Sequence, residues 1–305
     1  MQRPVSYIDV EDPGQRIDNF LFKILKSVPK TRIYRMLRRG EVRVNGSRVK
    51  PAYRLQEGDR VRVPPVKIST SLQPPKPSSG LTARLEAAVL HEDEDLLAIS
   101  KPSGLAVHGG SGIRLGAIEA LRGARPRMFL ELAHRLDRDT SGCLLVAKSR
   151  RGLKDLHAIL RDRQIKKTYD LMVFGAWPKQ LGTVQLKLHR YVAGNGERRV
   201  RVAAHGKSAR TDFRVEHAHA SATWLKARLH TGRTHQIRVH AAASGYPLLG
   251  EEKYATQAST ELSESIGVDR LCLHATSLVF AWRGKTLRIE APVPDSFSGG
   301  WARLS

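Results

Sequence analysis

The sequence is poor in cysteine and has no long apolar run. Its two cysteines, Cys143 and Cys272, each lie in a short apolar stretch, which is typical of buried free thiols in a reducing compartment. They form no Cys-x-x-Cys pair or Cys/His cluster of the kind that holds structural zinc. No segment approaches the ~20 apolar residues of a membrane span, and the N-terminus has no apolar signal-peptide core. These absences predict a cytoplasmic protein without a membrane span.

Acidic residues are also scarce. The 305-residue chain has 29 Asp and Glu against 52 Lys and Arg, which gives a net charge of +23. An excess of this size usually meets a polyanion, with nucleic acid as the first candidate and an anionic membrane surface as the second. The hydrophobic share of 41% suffices for a globular core, and the length allows about two domains. Composition therefore predicts a two-domain protein that binds nucleic acid.

Residues 14–66 have the pattern of a small module with two helices and short strands. Apolar residues at helical spacing between Ile17 and Leu25 predict the first helix. Thr31 can cap the second helix and Gly40 can end it, while Asn45-Gly46 is a hairpin-turn signal. Between residues 30 and 50 the basic side chains number eight and the acidic ones number one, whereas solvated helices usually mix signs. The arginines predicted to form a phosphate-binding stripe on the second helix are Arg32, Arg35, Arg38 and Arg39.

This module resembles the S4 RNA-binding domain. The resemblance rests on the run from Gln15 to Asp18 and on the run from Ile33 to Gly46. S4 domains bind structured RNA and carry out no chemistry, so the resemblance implies RNA binding here and chemistry elsewhere in the chain. The following residues, 67–83, are rich in Pro and Ser and are predicted to form a linker.

Residues 84–305 mix strand and helix signals without a regular βαβ rhythm. Strands outnumber helices and often follow one another directly, which predicts an α+β fold with a mixed, largely antiparallel sheet. Three segments carry polar residues at positions where a hydrophobic core would have apolar ones: 134–142, 165–169 and 229–240. These segments are the candidates for a functional site.

In the first segment Asp137 lies between two arginines. A carboxylate at the mouth of a strand, beside guanidinium groups, suits capture of a polyanion and nucleophilic chemistry on it. The alternative is an aspartate in a salt-bridged turn. In the third segment Thr234 can cap a helix, so that the helix start and Arg233 form a candidate anion site. Arg238, one turn further, could reach a carboxylate across a cleft.

The ordered motifs HRLDRDTSG, KKTYDLMVFG and GRTHQIRVH resemble those of the RluA-type family of RNA pseudouridine synthases. The runs at 101–105 and 271–275 also match, so the resemblance covers nearly the whole chain. It implies the pseudouridine synthase fold, with a central RNA cleft across a mixed sheet and the S4-like domain in front. It also implies isomerisation of uridine to pseudouridine in ribosomal RNA of the large subunit. That reaction involves no redox change and no group donor, so no cofactor and no metal are expected.

The resemblance implies roles for five residues. Asp137 matches the catalytic aspartate, which attacks the nucleoside or removes its C2′ proton, and both alternatives stay open here. Tyr169 matches the tyrosine that stacks on the uracil and can take the C5 proton. Arg135 matches the arginine that helps to hold the place of the flipped nucleotide in the RNA. Arg238 matches the basic residue that pairs with the aspartate, and Leu273 matches an apolar residue of the uracil pocket.

Three other functions fit parts of the pattern. An aspartate-based phosphatase would use Asp137 at the end of an apolar strand and would need a metal, but here the strong strand follows the motif. A glycosidase would pair Asp137 with Asp139, which lie too close together in one turn to straddle a sugar. A non-catalytic RNA-binding or ribosome-assembly factor fits the charge and the S4-like module, but not the nonapeptide or Tyr169.

The histidines of the third segment do not predict a metal site. His230, His235 and His240 are spaced by five residues and therefore point in different directions, which favours hydrogen-bonded or RNA-facing roles. The predicted partner is large-subunit ribosomal RNA, and no membrane partner is expected. Free RNA and a pre-ribosomal particle both fit this prediction, and the oligomeric state stays open.

Overall fold

The computed structural model describes residues 2–3, 5–10, 13–25, 28–67, 77–109, 115–194 and 196–304. The chain divides into two compact units, residues 1–73 and residues 74–305. Across the described ranges, no helix is both long and apolar enough to cross a membrane.

The first unit packs two helices beside short antiparallel strands. Its elements are β1 (Gln2–Arg3), β2 (Ser6–Asp9), α1 (Ile17–Ile24), α2 (Lys30–Arg39), β3 (Arg43–Val44), β4 (Arg60–Val63) and β5 (Val66–Lys67). Strands β2, β4 and β3 form one sheet, and β1 pairs with β5. Gly40 ends α2 with a left-handed φ of 67°, as predicted. Thr31 is not the cap of α2, because the helix already begins at Lys30, directly after Pro29.

The arginine stripe of α2 is less uniform than the sequence predicted. Arg35, Arg38 and Arg39 are exposed. Arg32 is half-buried and makes a bidentate ion pair with Glu41, with nitrogen–oxygen distances of 2.8 and 3.2 Å. The glutamate follows the end of the helix closely enough to reach back to it. Three of the four arginines therefore have no carboxylate at ion-pair distance among the described residues of the unit.

The second unit contains the large sheet. Its elements are α3 (Ser79–Ala87), β6 (Val89–Glu92), β7 (Leu96–Lys101), α4 (Ala117–Ala124), β8 (Glu131–Leu132), β9 (Ser141–Ala147), α5 (Arg150–Arg161), β10 (Ile165–Phe174), β11 (Thr183–Val192), β12 (Arg198–Val202), β13 (Lys207–Ala218), β14 (Ala222–Leu229), α6 (Gln236–Ala243), α7 (Gln257–Ser265), β15 (Leu273–Trp282), β16 (Lys285–Glu290) and α8 (Asp295–Ala302).

The strands form one mixed sheet. Within the described residues it has eleven strands, with the main order β12-β11-β13-β14-β10-β15-β9-β7-β6, and β16 and β8 pair with β15 and β9. The β9–β15 pair is parallel and the other pairs are antiparallel. Central strand β9 is buried along all seven residues, whereas β11, near the sheet edge, alternates between exposed and buried positions. The predicted α+β fold with a largely antiparallel sheet is confirmed.

The predicted linker is too long. Helix α3 begins at Ser79, inside the segment 67–83, and Ser78 caps it by accepting a hydrogen bond from the Leu81 amide at 3.2 Å. Leu85 then anchors the helix in the core. A Ser-rich stretch can therefore start a helix as well as form a linker, since serine is a favoured N-cap. Residues 68–76 lie outside the described residues.

Candidate active site

Four neighbouring strands at the centre of the sheet, β14, β10, β15 and β9, bring the predicted site residues together. Two come from the loop before β9, one from β10, one from the start of β15, one from α6 and one from the loop that follows β14. They share one cavity of about 400 Å3. The predicted residues that line this cavity are Arg135, Asp137, Tyr169, Arg233, Arg238 and Leu273. The structure therefore brings together six residues that the sequence motifs predicted for the site.

The loop that carries Asp137 is held by two side chains that come much earlier in the chain, Lys101 and Ser103. Lys101 is fully buried, and its Nζ donates hydrogen bonds to three main-chain carbonyls, including that of Arg138 at 2.9 Å. Burial lowers the pKa of Lys101 to about 7. Ser103 Oγ donates to the carbonyl of Asp139 at 2.6 Å. The main chain on the C-terminal side of Asp137 is therefore fixed at two successive carbonyls.

The downstream end of the same loop is fixed to β15. Ser141 Oγ lies 2.8 Å from His274 Nδ1 and accepts a hydrogen bond from Arg270 at 2.6 Å. Gly142 has a φ of 106°, and a Cβ there would lie 2.3 Å from the carbonyl oxygen of Ala275. The close approach of β9 to β15 therefore requires glycine at position 142, because even a Cβ atom does not fit there.

Tyr169 and Leu273 form an apolar wall of the cavity. Tyr169 lies where the β10–β15 register shifts, is 7% exposed, and packs in the same hydrophobic cluster as Leu136 and Leu273. Burial, with the negative charge of Asp137 as a second cause, raises the pKa of Tyr169. The phenol therefore stays protonated at neutral pH and offers a flat face on which a planar ring can stack.

The ion pair predicted between Arg238 and Asp137 is wrong in this structure. Both residues line the cavity, but Arg238 pairs with Glu251 through two hydrogen bonds of 2.6 and 2.5 Å, and both partners are buried. Burial lowers the pKa of Arg238, but the hydrogen bonds to Glu251 and the charges of Glu251 and Asp137 outweigh it and raise the pKa overall. Arg238 therefore interacts with Asp137 through the electrostatic field of its positive charge and not through a direct ion pair. The imidazole of His235 does lie at ion-pair distance, with Nε2 3.9 Å from Asp137 Oδ2.

The start of α6 also differs from the prediction. The helix begins at Gln236, and its N-cap is His235, in a left-handed conformation with φ 51°, not Thr234. Gln236 Oε1 accepts hydrogen bonds from the amide of Arg233 at 3.0 Å and from the hydroxyl of Thr231 at 2.7 Å. A side chain of the helix therefore takes the Arg233 amide that the predicted anion site would have used. The exposed guanidinium of Arg233 still faces the cavity.

His230 and His235 are hydrogen-bonded, as predicted. His230 Nε2 lies 2.5 Å from Asp212 Oδ2, and His235 Nδ1 lies 2.7 Å from the hydroxyl of Tyr254. His240 departs from the prediction, because it is fully buried and neither ring nitrogen has a hydrogen-bond partner among the described residues. In the same described ranges, no group of three or more His, Cys, Asp or Glu could hold a metal ion.

Sequence reasoning missed several residues of the site. His235 lies within the motif GRTHQIRVH, three residues before Arg238, and this spacing places the two side chains near each other. The spacing could therefore have indicated His235 as a site residue. Lys101 opens a matched turn, but a lysine there reads as an exposed residue until the fold buries it. Two further members lie outside every motif and had no signal. The missed residues are Lys101, Lys167, His235, Glu251 and Tyr254.

A second cleft of about 390 Å3, here called the basic groove, adjoins the cavity and shares Lys167 and Arg233 with it. Six cations and no carboxylate from the described residues line it. Arg161 pairs with the adjacent Asp162 at 3.1 Å, whereas the other five have no carboxylate at ion-pair distance in the described part of the chain. Such an unbalanced field attracts a polyanion. The cations of the groove are Arg161, Arg163, Lys166, Lys167, Arg228 and Arg233.

Comparison with known proteins agrees with this arrangement. A family model described as RNA pseudouridylate synthase matches residues 95–243, and a model of the S4 domain matches residues 15–61. The protein named ribosomal large subunit pseudouridine synthase C from Pasteurella multocida (strain Pm70) is 49% identical over 290 residues, covering 94% of this chain and 89% of the relative. The protein of the same name from Escherichia coli (strain K12) is 47% identical over 294 residues, covering 94% and 92%.

Solved structures show the same fold. Human RNA pseudouridylate synthase domain containing 4 superposes with a TM-score of 0.62 at 24% identity, over 74% of this chain and 95% of that chain. Human RNA pseudouridylate synthase domain containing 1 gives a TM-score of 0.57 at 22% identity, over 67% and 82%. As its ordered motifs predicted, this chain belongs to the RNA pseudouridylate synthase family.

Proposed function

We propose that this enzyme isomerises uridines of large-subunit ribosomal RNA to pseudouridine, with Asp137 as the group that acts on the ribose. The observation that carries the proposal is that Asp137, Tyr169 and Arg238, from three separate motifs, face one cavity. The names of relatives at 47–49% identity support large-subunit ribosomal RNA as the substrate. A non-catalytic RNA-binding protein would have no use for a carboxylate, a buried phenol and an apolar wall around the same space.

The chemistry follows from these groups. The C1′–N1 bond of uridine breaks, the base turns, and C5 bonds to C1′, while the proton on C5 is lost and N1 gains one. Asp137 acts on the ribose, by attack at C1′ or by removal of the C2′ proton, and so lets N1 depart. The detached uracil stays against the apolar wall of Tyr169 and Leu273 while it rotates. Because the phenol holds its proton firmly, Tyr169 serves first as the stacking surface.

The target uridine must leave its stack before it can enter the cavity. Unstacking costs a few kcal/mol, and contacts to the RNA backbone must compensate for it. Arg135 is exposed at the cavity and can occupy the space that the flipped nucleotide leaves. The basic groove continues from the cavity and offers cations for the flanking phosphates.

We assign the remaining RNA contacts to the first unit. Residues 14–66 serve as the S4-like RNA-binding domain, residues 67–78 connect it to the catalytic domain, and α2 meets phosphates through Arg35, Arg38 and Arg39. The two free cysteines are buried, which fits the cytoplasm as the place of action. Either free ribosomal RNA or a pre-ribosomal particle can present the uridine.

Mapping pseudouridine in total RNA from cells with and without the gene tests the proposal. We expect specific pseudouridines of large-subunit ribosomal RNA to disappear without the gene and to return when the wild-type gene is restored. An unchanged large-subunit map, with pseudouridine lost instead from another RNA or from none, would contradict the assigned substrate. Comparing naked RNA with isolated precursor particles as substrates of the purified enzyme distinguishes the two forms of presentation.

Neutralising the basic groove should weaken RNA binding more than chemistry. We expect the triple change Arg163→Gln, Lys166→Gln and Arg228→Gln to raise the KM for RNA roughly tenfold. The salt slope, which is the slope of the logarithm of the binding constant against the logarithm of salt concentration, should become less steep by about two, since each lost phosphate contact reduces it by ~0.7–0.9. The rate at saturating RNA should stay within about threefold of wild type, because these side chains do not line the catalytic cavity.

The matched control removes the same charge elsewhere on the second unit. Arg214, Lys285 and Arg288 are exposed and line neither the cavity nor the basic groove. Changing all three to Gln should leave the KM and the salt slope near those of wild type. Equal losses in both triple variants would mean that total charge, and not the groove, sets RNA affinity.

A further inference from the structure

A short hydrogen-bond chain reaches the cavity from the edge of the sheet. The backbone amide of Val200, in β12, donates to the hydroxyl of Tyr254 at 3.0 Å. The same hydroxyl lies 2.7 Å from Nδ1 of His235. The other ring nitrogen of His235, Nε2, is directed at Asp137, 3.9 Å from Oδ2. The chain therefore runs from a strand backbone to the carboxylate that we assign to the chemistry.

This chain favours one tautomer of His235. The Tyr254 hydroxyl accepts from Val200, and burial raises its pKa to about 12, so it keeps its single proton, for which Nδ1 of His235, 2.7 Å away, is the acceptor within reach. Burial lowers the pKa of His235, so the ring is neutral at pH 7 although the nearby Asp137 opposes this shift. With Nδ1 as acceptor, the ring proton is on Nε2 and points toward Asp137.

The backbone of His235 supports the same conclusion. Its φ of 51° is left-handed, a conformation uncommon for residues other than Gly, although Asn, Asp and His adopt it more often than the rest. Disfavoured backbone of this kind persists where the surrounding structure needs the side chain in one place. Arg238 cannot supply the same contact through its Nε and Nη2, because Glu251 takes both of these donors.

We propose that His235, held by Tyr254, is a positioning residue that aims the carboxylate of Asp137 through its Nε2–H. The inference rests on the proposed function, in which that carboxylate acts on the ribose. A distance of 3.9 Å is longer than a hydrogen bond, and such catalytic contacts often tighten when substrate binds. A neutral donor orients the carboxylate without adding a second positive charge beside Arg238.

Two substitutions of His235 separate positioning from a purely structural role. The amide nitrogen of Gln reaches the place of Nε2, whereas that of Asn falls short but Asn tolerates the left-handed backbone better. We expect His235→Asn to lower the single-turnover rate about 100-fold and His235→Gln to lower it less than about tenfold, with RNA affinity within about threefold of wild type in both. Their melting temperatures should rank in the opposite order, with Asn at or above Gln.

Substitutions of tyrosine complete the test. Tyr254→Phe removes only the hydroxyl, frees Nδ1, and should lower the rate about tenfold without changing RNA affinity. Tyr191→Phe removes a hydroxyl from the neighbouring strand β11 and should behave as wild type. A rate for His235→Asn equal to or above that of His235→Gln, or no effect of Tyr254→Phe, overturns the inference. A wild-type enzyme that forms no pseudouridine in bound ribosomal RNA overturns the proposed function instead.

Discussion

Asp137→Asn should abolish pseudouridine formation while the protein still folds and binds RNA. Asn has the same shape but can neither attack the ribose nor remove its proton, so we expect the single-turnover rate to fall by at least about 10³-fold. The fold should tolerate the change, because the bonds that shape the loop come from Lys101, Ser103 and Arg270 to groups other than this carboxylate. The RNA contacts assigned to arginines and lysines are untouched.

The measurement compares the pseudouridine formed per bound RNA with the dissociation constant for the same RNA. Asp139→Asn is the matched control, because that carboxylate pairs with Arg138 at 2.8 Å in the same loop. It should keep most of the activity, whereas a glycosidase-like pair would need both aspartates. If Asp137→Asn retains wild-type activity, the assignment of the reacting group is wrong even if the substrate is right.

The second unit should lose stability steeply between pH 7 and pH 5. His240 and His274 are 0% and 1% exposed, and burial lowers the pKa of each from 6.5 to about 4. In this window the unfolded chain binds protons that the folded protein cannot, so stability is fully present above pH ~6.5 and is lost as pH falls toward 4. Each histidine should remove about 2 kcal/mol from the free energy of unfolding at pH 5. His134, whose pKa burial lowers to about 3, acts in the same direction.

Urea denaturation of the full chain at pH 7, 6 and 5 measures this loss. Carboxylates contribute little in the window, because their ordinary pKa values of 3.8 to 4.5 lie below it. His240→Leu should reduce the loss in the free energy of unfolding between pH 7 and pH 5 by about 2 kcal/mol, the contribution of one histidine. Leu removes no hydrogen bond of the described structure, since neither ring nitrogen of His240 has a partner there. Stability that stays constant from pH 7 to pH 5 would show that these rings take up protons without unfolding.

Local patterns were predicted well where the determining contacts are close in sequence. The helical spacing before Gly40 predicted α2 and its end, because a helix satisfies its own backbone and glycine adopts the left-handed cap without strain. Apolar runs predicted the central strands for a different reason: a strand buried on both faces is a continuous apolar stretch, although its hydrogen bonds are to distant strands. The start of α3 was missed because a Pro- and Ser-rich stretch fits a linker, and the burial of Leu85 that stabilises the helix is a long-range contact.

The sequence by itself determined the family, the mixed sheet and six of the residues that share the cavity, because ordered motifs record which side chains must meet. Only the tertiary structure decided how those side chains are paired. Glu251 takes Arg238 from Asp137, and Tyr254 turns His235 toward it, although neither partner belongs to a recognised motif. The physical reason is that a buried charge or ring nitrogen pairs with whichever polar group the packing places within hydrogen-bond distance. Residue spacing along the sequence does not show which loop supplies that group.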